Sequence, residues 1–300
     1  MAEYGYKGAL ARLHLIVFIW GFTAILGKLI TLTAVPLVWW RVLIAGLGVG
    51  AWLWWKKIPF RLNLKDVLLL VGAGLIIALH WITFYHAIKI SNISVTLACF
   101  SSGAFFVSLI EPVWHKRKPV WYEMLLGLLS MAGLGLIFKV ETQYAAGIFT
   151  ALFSAFLSAL FSVVNGQLSK RLPPEQISFY ELWGGWGGIT IFLLATGAFN
   201  MEFFRLSQGD TLWLLLLGTI CTAFAFIMSV QLLKHLSPYT MVLTINLEPV
   251  YGIILAYFIF GQSEHMSLAF YGGAGIILLT LFGNAWLKQR LSKKAETKQA

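Results

Sequence analysis

Thr244-Ile245-Asn246-Leu247-Glu248-Pro249-Val250-Tyr251-Gly252 decides how this chain is read. It sits in the middle of an apolar run from about 239 to 260, long enough to cross a bilayer. A carboxylate at that depth costs several kcal/mol unless it is paired, hydrated or protonated. Pro249 follows it, removes a backbone donor and is expected to act as a hinge by kinking the helix at the same depth. So expensive a residue pair implies a use, and the rest of the chain is read for it.

Composition sets the class. Of 300 residues, 59% are hydrophobic and only 11% charged, too few charges to cover a soluble globule. Apolar runs near the ~20 residues that span ~30 Å of hydrocarbon recur along the whole chain. The reading is an all-α membrane protein with ten spans, near 12–33, 36–55, 66–88, 92–114, 121–138, 146–168, 177–197, 211–233, 238–260 and 268–287. The breaks carry turn and charge signals, among them Lys56-Lys57-Ile58-Pro59, His115-Lys116-Arg117-Lys118-Pro119 and Arg171-Leu172-Pro173-Pro174. No short apolar core with a small-residue cleavage site opens the chain, so no removable signal peptide is expected. Cys99 and Cys221 fall inside spans and read as small interior residues.

The net charge of +10 is explained by loops, not by nucleic acid. With the N-terminus inside, seventeen Lys and Arg residues lie on the inner side, the tail Lys288–Lys298 included, and three (Lys89, Lys139, Arg205) lie outside. Both termini are therefore expected in the cytoplasm of a cell whose inner membrane holds the protein. The tail, 288–300, reads as an orientation signal with a contact to anionic lipid.

The chain also repeats itself. At an offset of 145, Lys89 falls on Lys234 and Gly127 on Gly272; near 140, Trp39-Trp40-Arg41 meets Phe179-Tyr180-Glu181. Two units follow, 12–138 and 146–287. Five spans per unit is odd, so the second must enter the membrane upside down. Inverted repeats are a secondary-transporter architecture with the substrate near midplane.

Helix rise places the candidate site. Lys28 lies ~22 Å and His80 ~21 Å above the inner ends of their spans, and Arg41 lies ~8 Å below the outer surface. These three form one basic layer in the outer half, and Glu248, ~15 Å up, falls within reach of Lys28 below that layer. The repeat is broken at each of them: Lys28 matches about Gln167, Arg41 matches Glu181, His80 matches Ala225 and Glu248 matches Gly103. The layer is suited to an anionic group of a substrate, with Glu248 as counter-charge or proton acceptor. The bland reading is an ion-pair network that locks helices, with Lys28 reaching outward and His80 a satisfied interior histidine. Polar stripes add Ser154, Ser158, Ser162, Asn165 and Ser169; Ser94, Ser101 and Ser108; and Thr219, Thr222 and Ser229. Each stripe alone reads as helix packing; together they suggest a shared cavity. Trp81, Phe84 and Tyr251 stack on a substrate ring or fill core. Glu181 and Glu111 are placed near basic inner loops that neutralise them. The Trp residues near span ends read as interfacial anchors. No phosphate loop, metal-spaced cluster or nucleophile elbow is present in the sequence.

Trp20-Gly21-Phe22, Lys28, Pro36-Leu37 and Arg41, together with Leu247-Glu248-Pro249-Val250 and Gly261-Gln262-Ser263-Glu264, resemble the EamA type of the drug/metabolite transporter superfamily. The Gly-Glu end of the second half has Lys116-Arg117-Lys118-Pro119 in its place in the first, a departure from symmetric gates. The resemblance implies export or exchange of a small metabolite without ATP or a cofactor, often driven by an ion gradient. It leaves the solute open. The expectation is a non-enzymatic secondary transporter working by alternating access, with a small-molecule substrate, a proton as candidate coupling ion, membrane lipids around it, and a monomer or homodimer. The sites assigned are Lys28, Arg41, His80, Ser101, Ser162, Asn165, Thr222, Glu248 and Tyr251, with Pro249 as hinge. A facilitative carrier without ion coupling is the nearest alternative; a membrane-embedded enzyme on lipid, or a scaffold or sensor, is further off.

Overall fold

The computed structural model describes residues 6–114, 116, 120–168, 170–232, 236, 244–245 and 247–297. Twelve helices account for most of these: α1 Tyr6–Leu29, α2 Ala34–Trp55, α3 Leu64–Ile90, α4 Ile93–Phe100, α5 Gly103–Trp114, α6 Trp121–Val140, α7 Ala145–Leu168, α8 Pro174–Ala195, α9 Gln208–Gly218, α10 Ala225–Leu232, α11 Glu248–Phe260 and α12 Leu268–Thr297. Among the described residues, six stretches are long and apolar enough to cross a membrane: 7–29, 34–55, 64–90, 93–114, 142–168 and 208–229. Leu125–Val140 and Leu268–Thr280 are apolar but shorter. His115, Arg117, Lys118, Lys234 and Lys298, all expected on the inner side, and the first part of the ninth expected span with Asn246 lie outside the described residues.

Several expected spans are built differently from a plain helix. The fourth breaks at Ser101–Ser102 into α4 and α5. The eighth runs α9, then a π-helical segment Thr219–Phe224, then α10. In the ninth, α11 begins at Glu248, with Leu247 as its cap and Pro249 in its first turn. Pro249 therefore does not kink a continuous helix at this point. It opens one, where its missing N–H is no loss and its fixed φ is already helical. α11 starts 145 residues after α5 starts at Gly103, so both halves interrupt the same segment at the same place.

The internal match extends to contacts. Gly74 on α3 lies so close to the Glu181 carbonyl that a Cβ would collide with it, and Gly218, 144 residues on, lies the same way against the Arg41 carbonyl (3.2 Å). Gly133 on α6 and Gly273 on α12 face each other, each 2.7 Å in Cβ position from the other's carbonyl oxygen. Glycine at such crossings lets helix axes approach where lipid offers no hydrophobic drive. Asn63 caps α3 by accepting from the Asp66 N–H, and Ser207 caps α9 by accepting from the Asp210 N–H, again 144 apart.

These two caps serve clamps. Asp66 pairs with Arg171 at 2.9 Å, holding the turn between α7 and α8. Asp210 accepts from the Thr31 N–H (2.7 Å) and hydroxyl (2.6 Å), holding the turn between α1 and α2. They lie at opposite ends of the bundle. Asp66 opens α3, while Lys89 in the last turn of α3 donates to the Ile30 carbonyl beside Asp210.

Aromatic residues divide by depth. Trp54, Trp55, Trp114, Trp121 and Trp286 are exposed, as interfacial anchors should be. Trp39 is not an anchor. It is buried, donates Nε1–H to Thr190 Oγ1 (2.9 Å) and packs edge-on against Phe199 and Phe203.

Candidate functional site

Arg41 lies about two turns into α2 and is 5% exposed. Its Nε donates to Thr222 Oγ1 at 2.9 Å and its Nη1 to the Tyr85 hydroxyl at 2.6 Å. The guanidinium plane lies 4.3 Å from the Trp81 ring centroid, a cation–π contact strengthened by desolvation. Tyr85 is fully buried against Gly27, where no side chain would fit, and its hydroxyl also meets Thr23 of α1. Glu248 lies within electrostatic reach of both Arg41 and Tyr85. Five elements thus converge on one guanidinium: α1, α2, α3, the π segment and the start of α11.

Local structure explains each position. The π turn lets the Thr222 hydroxyl bond the Leu217 carbonyl five residues back (2.7 Å) while still accepting from Arg41; such bulges re-aim a side chain in mid-helix. Glu248 heads α11, where unpaired backbone N–H groups and the helix dipole favour negative charge. The backbones of α1 and α11 touch nearby: a Cβ on Gly21 would sit 3.2 Å from the Glu248 carbonyl oxygen. Tyr251, one turn on, lies edge-on to Phe18 and approaches His14 Nδ1 at 3.4 Å.

The expected basic layer comes apart. Lys28 occupies the last turn of α1 and pairs with Glu264, not Glu248, at 2.7 Å; its Nζ also reaches Ser263 Oγ at 3.0 Å. The span expected at 12–33 is a helix that ends at Leu29, so Lys28 lies at the helix end and not within the span. Glu264 is wholly buried and accepts as well from the Ile93 N–H (3.1 Å), the Ser94 N–H (2.8 Å) and the Ser94 hydroxyl (2.8 Å). It is an anion held at the N-terminus of α4. His80 is a satisfied interior histidine: Nδ1 meets Ser154 Oγ (2.8 Å) and the ring stacks on Phe100.

The serine stripes do not share a cavity. Ser101 caps α4 and donates to the Leu97 carbonyl at 3.0 Å; Ser162 is exposed on α7 and donates to the Ser158 carbonyl at 2.8 Å. Ser169 lies outside the described residues. Asn165 points elsewhere too, donating to Glu181 Oε1 at 2.7 Å. Glu181 is 2% exposed, so the expected neutralisation by basic inner loops is not what holds it. Of the nine assigned residues, Arg41, Thr222 and Glu248 gather around one centre, and Tyr251 lies a turn further along α11 against Phe18 and His14. Trp81 had been noted as a stacking or core residue; Tyr85, Asp210 and Glu264 were missed. The match of Glu264 to a Gly-Glu motif was the one available signal.

A separate cavity of about 510 Å³ opens among α3, α5 and α7, lined by Leu69, Trp114, Val164, Leu168, Lys170 and Arg171 among others. It shares no residue with the Arg41 cluster.

Apolar spans, interrupted helices and a buried charge centre between them define a polytopic helical membrane protein. The EamA-like transporter family matches residues 9–139 and again 145–286, and the chain belongs to that family, within the drug/metabolite transporter superfamily. It is similar to an uncharacterized transporter of Archaeoglobus fulgidus, 23% identical over 205 residues, covering 68% of this chain and 71% of that one. It is also similar to the uncharacterized transporter YxxF of Bacillus subtilis, 20% identical over 197 residues; that match covers 64% of this chain and 61% of the relative. The crystal structure of another protein superposes over 94% of this chain and 96% of its own, with TM-score 0.64 and 15% identity, a likeness of fold.

Proposed function

We propose that the chain is a secondary transporter that exports or exchanges a small, anion-bearing metabolite across the inner membrane by alternating access. The observation that carries this is Arg41, a cation held deep in the bundle by groups from both halves, Tyr85 and Thr222, with Glu248 opposite. Among the described residues its hydrogen bonds engage Nε and Nη1, and a guanidinium has five donors, so capacity remains for a carboxylate or phosphate oxygen. Trp81, whose ring lies 4.3 Å from the guanidinium, supplies an aromatic surface for an apolar or ring portion of the solute.

The domain reading that goes with this is ten helices as two inverted five-helix units, 12–138 and 146–287, with both termini in the cytoplasm and a basic tail at 288–300. The matched clamps at opposite ends support it. In this conformation the end bearing Thr31 is also tied by Lys28–Glu264, so Lys28 belongs to a closure and not to the solute. Opening that end requires Glu264 to leave the α4 N-terminus, while the Asp66–Arg171 pair, already formed at 2.9 Å, keeps the other end closed. The test is metabolite profiling of the medium of cells expressing the protein. Wild type is expected to raise at least one anionic solute outside, and Arg41→Ala to abolish that rise. Equal profiles for wild type and an empty vector would overturn the reading.

A further inference from the structure

Glu181 takes no part in the Arg41 cluster, yet it is its counterpart. Each is the eighth residue of its helix, and each has a glycine of the other repeat member, Gly74 or Gly218, pressed on its carbonyl. Arg41 is surrounded by partners; Glu181 is not. One carboxyl oxygen accepts from Asn165 Nδ2, and the other, Oε2, is buried with no hydrogen-bond partner among the described residues.

Charged neighbours do not explain it. α8 packs against α2, α3 and α10 and meets α7 through Asn165. The described parts of α7 and α10 carry no ionisable side chain. Arg41 on α2 is turned to Thr222 and Tyr85, and on α3 Asp66 holds Arg171, His80 holds Ser154 and Lys89 holds Ile30. Tyr180, beside Glu181 on α8, donates to the Phe60 carbonyl. A carboxylate left unpaired in hydrocarbon is far costlier than a carboxyl group carrying a proton. Glu181 lies only ~10 Å from the start of α8, a short path to water.

We propose that the Glu181 carboxyl, oriented by Asn165, is a proton-binding site through which a proton gradient drives this carrier. An O–H bond forms at Oε2 with a proton taken from water and breaks when the proton returns to water; nothing is oxidised or reduced. The driving role rests on the transporter reading above; the titration itself does not.

The probe is therefore pH alone. Infrared difference spectra of the full chain in phosphatidylcholine vesicles are recorded as pH is stepped. Wild type should show a protonated-carboxyl C=O band that disappears at high pH. Glu181→Gln should lose that band entirely, Glu181→Asp should keep one at a displaced frequency, and Asn165→Ala should shift it. Superimposable spectra for wild type and Glu181→Gln, or a Glu181 band that persists at every pH, would refute the proposal. In extract-loaded vesicles, solute release unaffected by an imposed pH gradient would also refute it while leaving the transporter reading intact.

Discussion

Arg41 and Glu264 are the two side chains whose removal most directly reports on the account. Arg41→Ala leaves the Thr222 and Tyr85 hydroxyls and Glu248 without their cation, and stranding buried partners costs about 3 kcal/mol. A lowered thermal midpoint together with lost solute movement is expected; Arg41→Lys, a point charge that cannot reach both hydroxyls in the fork geometry, should recover stability more than transport. Glu264→Gln keeps the shape but removes the charge that meets Lys28 and the α4 N-terminus, a loss of about 2 kcal/mol from one charge-assisted set. Reactivity of a cysteine placed at Thr31 towards an impermeant thiol reagent should rise several-fold in that variant; unchanged reactivity would mean that Glu264 does not close this end. Burial of Glu264 was not readable from its position near a span end, because the partners that justify it come from α1 and α4 far away in sequence.

Helix interruptions carry the site, and they were only partly visible beforehand. Apolar runs marked where helices lie, and the Glu248-Pro249 pair marked that something happens in mid-membrane. It did not distinguish a kink from a new helix start, since proline is compatible with both. The π segment had no sequence signal: Thr219-Ile220-Cys221-Thr222 is ordinary apolar helix by composition. The serine stripes misled because a hydroxyl in a membrane helix can satisfy itself on the carbonyl a turn back, as Ser101 and Ser162 do. Gly133, by contrast, meets Gly273 at carbonyl distance, a packing contact that only a glycine permits. Gly133→Leu should overpack α6 against α12 and cost about 1–3 kcal/mol, measured as the shift in detergent-induced or thermal unfolding; Gly135→Ala, where a Cβ meets open space, should cost far less.

Across the bundle, duplication was legible from offsets of 140 to 145, and those same offsets recur in the caps at Asn63 and Ser207 and the clamps at Asp66 and Asp210. What offsets could not reveal is that equivalent positions hold unlike chemistry: Arg41 with many partners, Glu181 with one. The clamps predict opposite responses. Asp210→Asn should favour opening at the Thr31 end, and Asp66→Asn at the Arg171 end, read as mirror-image changes in cysteine labelling at the two ends. The central claim, that a solute passes the Arg41 centre, is tested by loading purified protein into vesicles with total small-molecule extract and measuring by mass spectrometry what leaves. Wild type should release at least one anionic solute faster than protein-free vesicles, and Arg41→Ala should not; identical release from wild type and variant would contradict the site, and release no faster than from protein-free vesicles would contradict transport itself.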